Sequence, residues 1–479
     1  MDCSPQLAKR AGVAELVDAH DSKSCIARCE SSILSSGTMS KFIVWGDKPL
    51  RGTYLVSGAK NAGPKLPISA LLSKEKSIFH NVPRISDTYR TIDALTSLGC
   101  RVRFSDKNTI EVESSDIHSS EIPLEAMTAR QSVLFIGATL ARTGKVIIHP
   151  IRGDAIGKRP LNRHLEGIKA LGGKITEHDN QMKITMPKRP KSTTYAFEKN
   201  THCGTENLIL ASVFNDGKVI LKNAAREPEV DNLINCLNDM GAKIKRVEPR
   251  VIEIIGVEPF LRGANAYSIY DRLEAATALI LSIMTGGYIT VKNTSRESLE
   301  PLIETLKKIG VEVSFKKDIA KITKINKPLK PIEITTDWYP GFMTDWQPLI
   351  TLLLAYMAEG KSTIHEKIFE TRWRYLAELQ KMGLKHDLFH PKGYGAKFYN
   401  FNDSEYNAKE TYGANVYGPT KFQPAELNSH DVRAGINMLL ASLVAPGKSI
   451  INDPANHIDR GYENIVEKLN SLGADIKRI

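Results

Sequence analysis

Apolar and polar positions along this chain repeat one phrase six times. It reads Leu95-Thr-Ser-Leu-Gly99-Cys-Arg-Val102, Ile168-Lys-Ala-Leu-Gly172-Gly-Lys-Ile175 and Leu237-Asn-Asp-Met-Gly241-Ala-Lys-Ile244. It returns as Leu306-Lys-Lys-Ile-Gly310-Val-Glu-Val313, Leu379-Gln-Lys-Met-Gly383-Leu-Lys-His386 and Leu469-Asn-Ser-Leu-Gly473-Ala-Asp-Ile476. Each copy predicts an amphipathic helix, a glycine past its last turn, and a strand. Glycine accepts the left-handed backbone that a helix C-cap needs. A glycine-punctuated strand precedes the phrase, as in Gly217-Lys-Val-Ile-Leu-Lys-Asn223, Gly286-Gly-Tyr-Ile-Thr-Val-Lys-Asn293 and Gly447-Lys-Ser-Ile-Ile-Asn452. The cap glycines stand 73, 69, 69, 73 and 90 residues apart, longer than the repeats of open solenoids. The pattern predicts an α/β protein of six small β/α modules, three in each of two lobes.

Composition narrows the class. A chain of 479 residues suits two or three domains. The best apolar run, residues 349–357, is far too short to span a membrane. Six cysteines (Cys3, Cys25, Cys29, Cys100, Cys203 and Cys236) show no disulfide or metal-ligand spacing, which fits a reducing compartment. The net charge of +11, from 65 basic and 54 acidic residues, suits either nucleic acid or anionic small substrates. No nucleic-acid motif or interleaved basic-aromatic run is present, so small anions are the expectation.

Residues 1–38 lack both phrases and have no apolar segment of a signal peptide. Within them, Ala11-Gly-Val-Ala-Glu-Leu-Val-Asp-Ala-His-Asp-Ser-Lys-Ser-Cys25 resembles the conceptual translation of a transfer-RNA gene. The expectation is a disordered extension outside the fold, with Met39 the start and Lys41-Phe-Ile-Val-Trp45 the first strand.

Polar residues that break the apolar pattern gather between modules. Arg152-Gly-Asp-Ala-Ile-Gly-Lys-Arg-Pro-Leu-Asn-Arg-His164 sets basic side chains around one carboxylate, and arginine forks suit phosphate and carboxylate oxygens. A solvated basic loop is the alternative. Lys60-Asn61 is a similar, smaller signal. Glu229 and Glu274 read either as catalytic carboxylates or as helix-start charges. Asp345 reads as a proton acceptor or as the cap of the apolar helix after it. Asp431-Val-Arg433 and His457-Ile-Asp-Arg460 place further arginines in loops before helices. There is no P-loop, no G-x-S-x-G and no G-x-G-x-x-G fingerprint.

Eight motifs stand together in order: Gly58-Ala-Lys-Asn61, Ala155-Ile-Gly-Lys-Arg-Pro160, Gly204-Thr-Glu-Asn207, Asn223-Ala-Ala-Arg-Glu-Pro-Glu229, Asp271-Arg-Leu-Glu274, Thr344-Asp-Trp-Gln347, Asp431-Val-Arg433 and His457-Ile-Asp-Arg-Gly-Tyr-Glu463. In this the chain from Lys41 onward resembles the UDP-N-acetylglucosamine 1-carboxyvinyltransferases, a family of enolpyruvyl transferases. The resemblance implies an inside-out α/β barrel of two lobes, residues 39–59 with 271–479 and residues 60–270, with residues 152–158 as a lid. It implies a cytoplasmic bacterial enzyme that joins phosphoenolpyruvate to the sugar nucleotide without metal or organic cofactor. Asp345 would be the base, Asp154 the general acid, and Lys60 and Arg433 further catalytic groups. Lys60, Asn61, Arg159, Arg433 and Arg460 would hold phosphoenolpyruvate. The nucleotide sugar would meet Asn61, Arg130, Arg159, Pro160, Leu161, Asn162, Arg163, His164, Lys199, Asn200, Thr201, His202, Asp345 and Ile368.

Two departures stand out. Asp154 occupies the lid position where the family usually carries Cys, and residues 386–423 replace a short turn with a Tyr-, Asn- and Gly-rich insertion. That insertion is expected to be a surface hairpin or mobile loop. Alternative functions are a shikimate-type transferase, whose family normally has Ser-Lys-Ser where Ala59-Lys-Asn61 stands, and a non-catalytic sugar-nucleotide sensor.

Overall fold

A computed structural model describes residues 40–151, 156–157 and 160–479. The extension 1–38 and the expected site residues Asp154 and Arg159 lie outside the described residues. The six repeats emerge as six copies of strand, helix, strand, strand. In the first, Ser77–His80 leads to helix Ser86–Leu98 and to the hairpin Arg101–Asp106 and Thr109–Glu113. The corresponding helices are Asn162–Ala170, Pro228–Asp239, Arg296–Ile309, Arg374–Lys381 and Ile465–Asn470. All six repeat glycines have positive φ, between 88° and 109°. That left-handed turn lets the chain leave the helix and enter the next strand.

The sixth copy lacks its own last strand. Ser40–Trp45 supplies it, pairing antiparallel with both Lys448–Asp453 and Asp475–Arg478. Gly52–Leu55 likewise adds a parallel edge to Ile289–Lys292. The start of the fold is therefore woven into its C-terminal half. The result is five four-stranded sheets and one three-stranded sheet, which do not hydrogen-bond into a closed barrel among the described residues.

A second set of helices lies inside. Arg272–Met284 and Val432–Val444 both pack on Gln347–Met357, and Leu134–Thr143 packs on His202–Ser212. These helices are apolar nearly all round and almost wholly buried, as a helix surrounded by others must be. Their approach is close: a Cβ on Gly137 would lie 2.1 Å from the Asn207 carbonyl oxygen.

The described residues fall in one compact unit, Gly37–Ile479, yet carry two large apolar cores. One unites Phe42 to Val56 with residues from Leu273 to Ile476, and the other runs from Leu66 to Ala266. The chain passes between them twice, side by side. Gly58 and Tyr270 form an antiparallel bridge, and the Ala59 amide donates to the Ile269 carbonyl at 2.8 Å. A Cβ on Gly58 would sit 1.8 Å from the Asn81 carbonyl oxygen, so only glycine fits there.

The insertion is in part the expected surface hairpin. Its ends pair, Lys385–Phe389 with Gly413–Gly418, and the excursion between them exposes residues 392–395 and 407–410, yet it is not wholly solvated. Tyr399, Phe401 and Tyr412 are at most 5% exposed and form a third apolar cluster. Burying three aromatic rings outweighs leaving such a segment solvated. No helix among the described residues is long and apolar enough to cross a membrane.

Candidate active site

A cleft of about 300 Å³ gathers residues from both cores and from the insertion. Of the expected residues, Lys60, Asn61, Arg130, Pro160, Arg163, His164, Asn200, Thr201, His202, Asp345, Ile368, Arg433 and Arg460 line it. Leu161, Asn162 and Lys199 do not. Leu161 packs on the second core, and the Lys199 ammonium turns to the insertion, donating to the Tyr399 carbonyl at 3.0 Å.

Two carboxylates organise the cations. Asp87, in the first turn of helix Ser86–Leu98, is 1% exposed. It meets Lys60 Nζ at 2.9 Å, Arg90 at 3.1 Å and Arg460 Nε at 3.3 Å. Burial pushes its pKa up, but the three cations outweigh that and hold the carboxyl well below the usual range. Nothing in the sequence distinguished Asp87 from an ordinary helix-start charge.

Asp345 is the second. The helix after it, Gln347–Met357, has no side-chain cap, so the capping alternative is excluded. Instead Asp345 Oδ1 accepts from Arg372 Nη2 at 2.6 Å, and Oδ2 lies 3.6 Å from Arg433 Nη2. Burial opposes its ionisation, yet Arg372 and Arg433 keep it depressed far below an ordinary carboxyl. Arg372 is 3% exposed and was not anticipated; it also donates to Thr344 Oγ1 at 2.7 Å, which donates in turn to the fully buried Glu366.

Arg433 lies inside the first turn of Val432–Val444 rather than in a loop, because Asp431 caps that helix through the Arg433 and Ala434 amides. Its Nη1 donates to Tyr462 Oη at 3.0 Å. Asp271 plays the equivalent part for Arg272–Met284, and its other oxygen accepts from the Lys60 amide at 2.8 Å, fixing the backbone beneath the Lys60 side chain. Glu229 and Glu274 are first-turn charges committed to structural ties. Glu229 holds Arg272, while Glu274 accepts from Tyr54 Oη and from Lys468 Nζ. His164 is buried and its pKa is lowered to about 3, first by burial and then by Arg130 and Arg163, so it is a neutral wall residue.

Four cationic groups (Lys60, Arg372, Arg433 and Arg460) thus gather around Asp87 and Asp345 in a cleft that is also lined by Arg130 and Arg163 and by the amide and hydroxyl residues Asn61, Asn200, Thr201 and Asn400. Such a site suits a small polyanion beside a larger polar ligand. Among the described residues no group of three or more His, Cys, Asp or Glu is arranged to hold a metal ion.

Residues 44–469 match the family described as EPSP synthase (3-phosphoshikimate 1-carboxyvinyltransferase), and the chain belongs to that family. The fold agrees with solved structures. The enolpyruvyl transferase NikO from Streptomyces tendae superposes with a TM-score of 0.79 at 22% identity, over 92% of this chain and 99% of that one. EPSP synthase from Acinetobacter baumannii gives 0.65 at 18%, over 92% and 100%. Sequence relatives are more specific. UDP-N-acetylglucosamine 1-carboxyvinyltransferase from Pseudoalteromonas atlantica is 34% identical over 92% of this chain and all of its own. UDP-N-acetylglucosamine 1-carboxyvinyltransferase 2 from Carboxydothermus hydrogenoformans is 38% identical over the same shares, and the Chlamydia abortus enzyme 37% over 90% and 97%. Within the family, the chain is a member of the UDP-N-acetylglucosamine 1-carboxyvinyltransferases.

Proposed function

We propose that this transferase moves the enolpyruvyl group of phosphoenolpyruvate to the 3′-hydroxyl of UDP-N-acetylglucosamine and releases phosphate, the first committed step of peptidoglycan precursor synthesis in the bacterial cytoplasm. The observation that carries the reading is the convergence of Lys60, Arg433 and Arg460 around the buried carboxylates Asp87 and Asp345.

In this reading the three cations hold the phosphate and carboxylate of phosphoenolpyruvate, with Asn61 and Arg159 beside them. Addition protonates the vinyl carbon and attaches the sugar oxygen. Elimination then takes a proton back from that carbon, breaks the C–O bond to phosphate and restores the double bond. Asp345 takes the hydroxyl proton. Its two arginines make it a weak base at rest, but they are unequal, with Arg433 looser at 3.6 Å than Arg372 at 2.6 Å. An anionic substrate that engages Arg433 draws that charge away and raises the basicity of Asp345. Asp154 is the proton donor, and a carboxylic acid there needs an anion-crowded site to stay protonated near neutral pH. The two cores support lobes divided near residues 59–60 and 270–271, with the lid at 152–158 closing the cleft between them. No cofactor is called for, since phosphoenolpyruvate is already activated.

The test is phosphate release from phosphoenolpyruvate with UDP-N-acetylglucosamine and with shikimate 3-phosphate in parallel. Turnover only with the sugar nucleotide is expected. Turnover with shikimate 3-phosphate, or with neither, would overturn the reading.

A further inference from the structure

Residues 390–412 leave the hairpin at Phe389 and return at Gly413, which are register partners, so the excursion adds nothing to its own sheet. It folds instead around Tyr399, Phe401 and Tyr412, and its crest reaches both sides of the cleft. Toward the first core, the Asn400 amide donates to the Lys367 carbonyl at 2.9 Å, and Tyr399 Oη lies 3.1 Å from His365 Nε2. Toward the second, Arg163 donates through Nη2 to the Asn400 carbonyl and through Nη1 to the Asn200 carbonyl at 3.2 Å. Asn400 Nδ2 closes the triangle by donating to that same Asn200 carbonyl at 3.1 Å. Lys199 pairs with Asp403 at 3.0 Å.

We infer that this strap is a positioning element for the nucleotide sugar, with Asn400 as the residue that fixes Arg163 and Asn200 at the cleft wall. The inference rests on the function proposed above and deepens it. Arg163 is a long, rotamer-rich side chain, and ordering it only when substrate arrives would weaken binding. The triangle orders it through the protein itself. Asn200, only 4% exposed, keeps its Nδ2 without a partner, as does Asn400 its Oδ1. Both residues line the cleft, where a polar ligand can satisfy such groups. The contacts of Lys60, Arg433 and Arg460 run elsewhere, to Asp87, Asp345 and Tyr462. Loss of the strap should therefore be felt by one substrate and not the other.

The full chain, Asn400→Ala, and a chain in which residues 390–412 are replaced by Asn-Gly, a turn that joins paired strand ends, are compared by phosphate release with each substrate varied. The KM for UDP-N-acetylglucosamine is expected to rise about fivefold in Asn400→Ala, the scale of the one neutral hydrogen bond from Asn400 Nδ2 to the Asn200 carbonyl that it removes, and further without the strap, which also takes away the backbone carbonyl that Arg163 grips. The KM for phosphoenolpyruvate should change less than about twofold, within the margin of an indirect contact. Unchanged KM for the sugar nucleotide, or equal rises for both substrates, would overturn the inference. Should the strapless chain not fold, Asn400→Ala decides. A parent chain that releases no phosphate is a failure of the proposed function. Calorimetric binding of UDP-N-acetylglucosamine to parent and Asn400→Ala then tests the clasp on its own, and equal affinities would sink it.

Discussion

Arg272 grips Glu229 with two parallel hydrogen bonds, Nε to Oε1 at 3.0 Å and Nη2 to Oε2 at 2.9 Å, and both side chains are at most 2% exposed. Glu229 opens a helix of one core and Arg272 a helix of the other. The pair therefore ties the two halves where the chain crosses between them. Burial pushes the Glu229 pKa up, but Arg272 and then His202 override it and lower the pKa to about 2.

The sign of the pH dependence follows. A carboxyl depressed in the folded state contributes stability that is present above its unfolded pKa of about 4.3 and is lost as pH falls toward 2. Glu229→Gln strands a buried arginine and should cost about 3–5 kcal/mol at neutral pH. The variant's Tm should also vary less than the parent's between pH 5 and about 2.5, the window just described. Thermal melts across that range check both, and an unchanged Tm at pH 7 would contradict the role given to the pair.

Asp345→Asn is nearly isosteric and removes the proposed proton acceptor. Turnover should drop by ~10²–10⁴-fold, the usual contribution of a positioned acid-base group, while calorimetric binding of UDP-N-acetylglucosamine persists. Turnover within a few-fold of the parent would leave Asp345 a binding residue only.

Arg372→Gln removes the nearer of the two cations beside Asp345. The Asp345 pKa should rise toward the ordinary carboxyl value, so that the acid limb of kcat/KM moves to higher pH. A pH–rate profile that keeps its acid limb in place would show that Asp345 does not set it.

Asp154→Cys tests the proposed role of Asp154 as lid acid. The epoxide fosfomycin alkylates thiolates, and a carboxyl is a far weaker nucleophile than a thiolate. The parent should resist the drug, and the cysteine variant should gain time-dependent inhibition with one covalent adduct by mass spectrometry. A stoichiometric adduct on the parent's Asp154 would refute this.

A chain beginning at Met39 should keep its activity and Tm, because the first described strand starts at Ser40 and the core at Phe42. A clear fall in either would assign residues 1–38 a structural part.

By itself the sequence determined the modules. Their helices and strands are local, written in apolar spacing of 3.6 and 2 and punctuated by cap glycines whose positive φ the structure bears out. Motif order carried the family as well, because Lys60, Asp345, Arg433 and Arg460 sit in short segments legible one at a time. Only the tertiary structure decided what those residues touch. Asp87 meets Arg460 across 373 residues, Arg372 reaches Asp345 from another loop, and Ser40–Trp45 completes a sheet begun at Lys448. The insertion shows the same limit. Its polar, glycine-rich composition reads as solvated chain, while its aromatic residues, scattered along that chain, form a cluster only once the hairpin is closed. Periodicity is a property of neighbours along the chain, whereas charge pairing and ring packing depend on which distant neighbours the fold supplies.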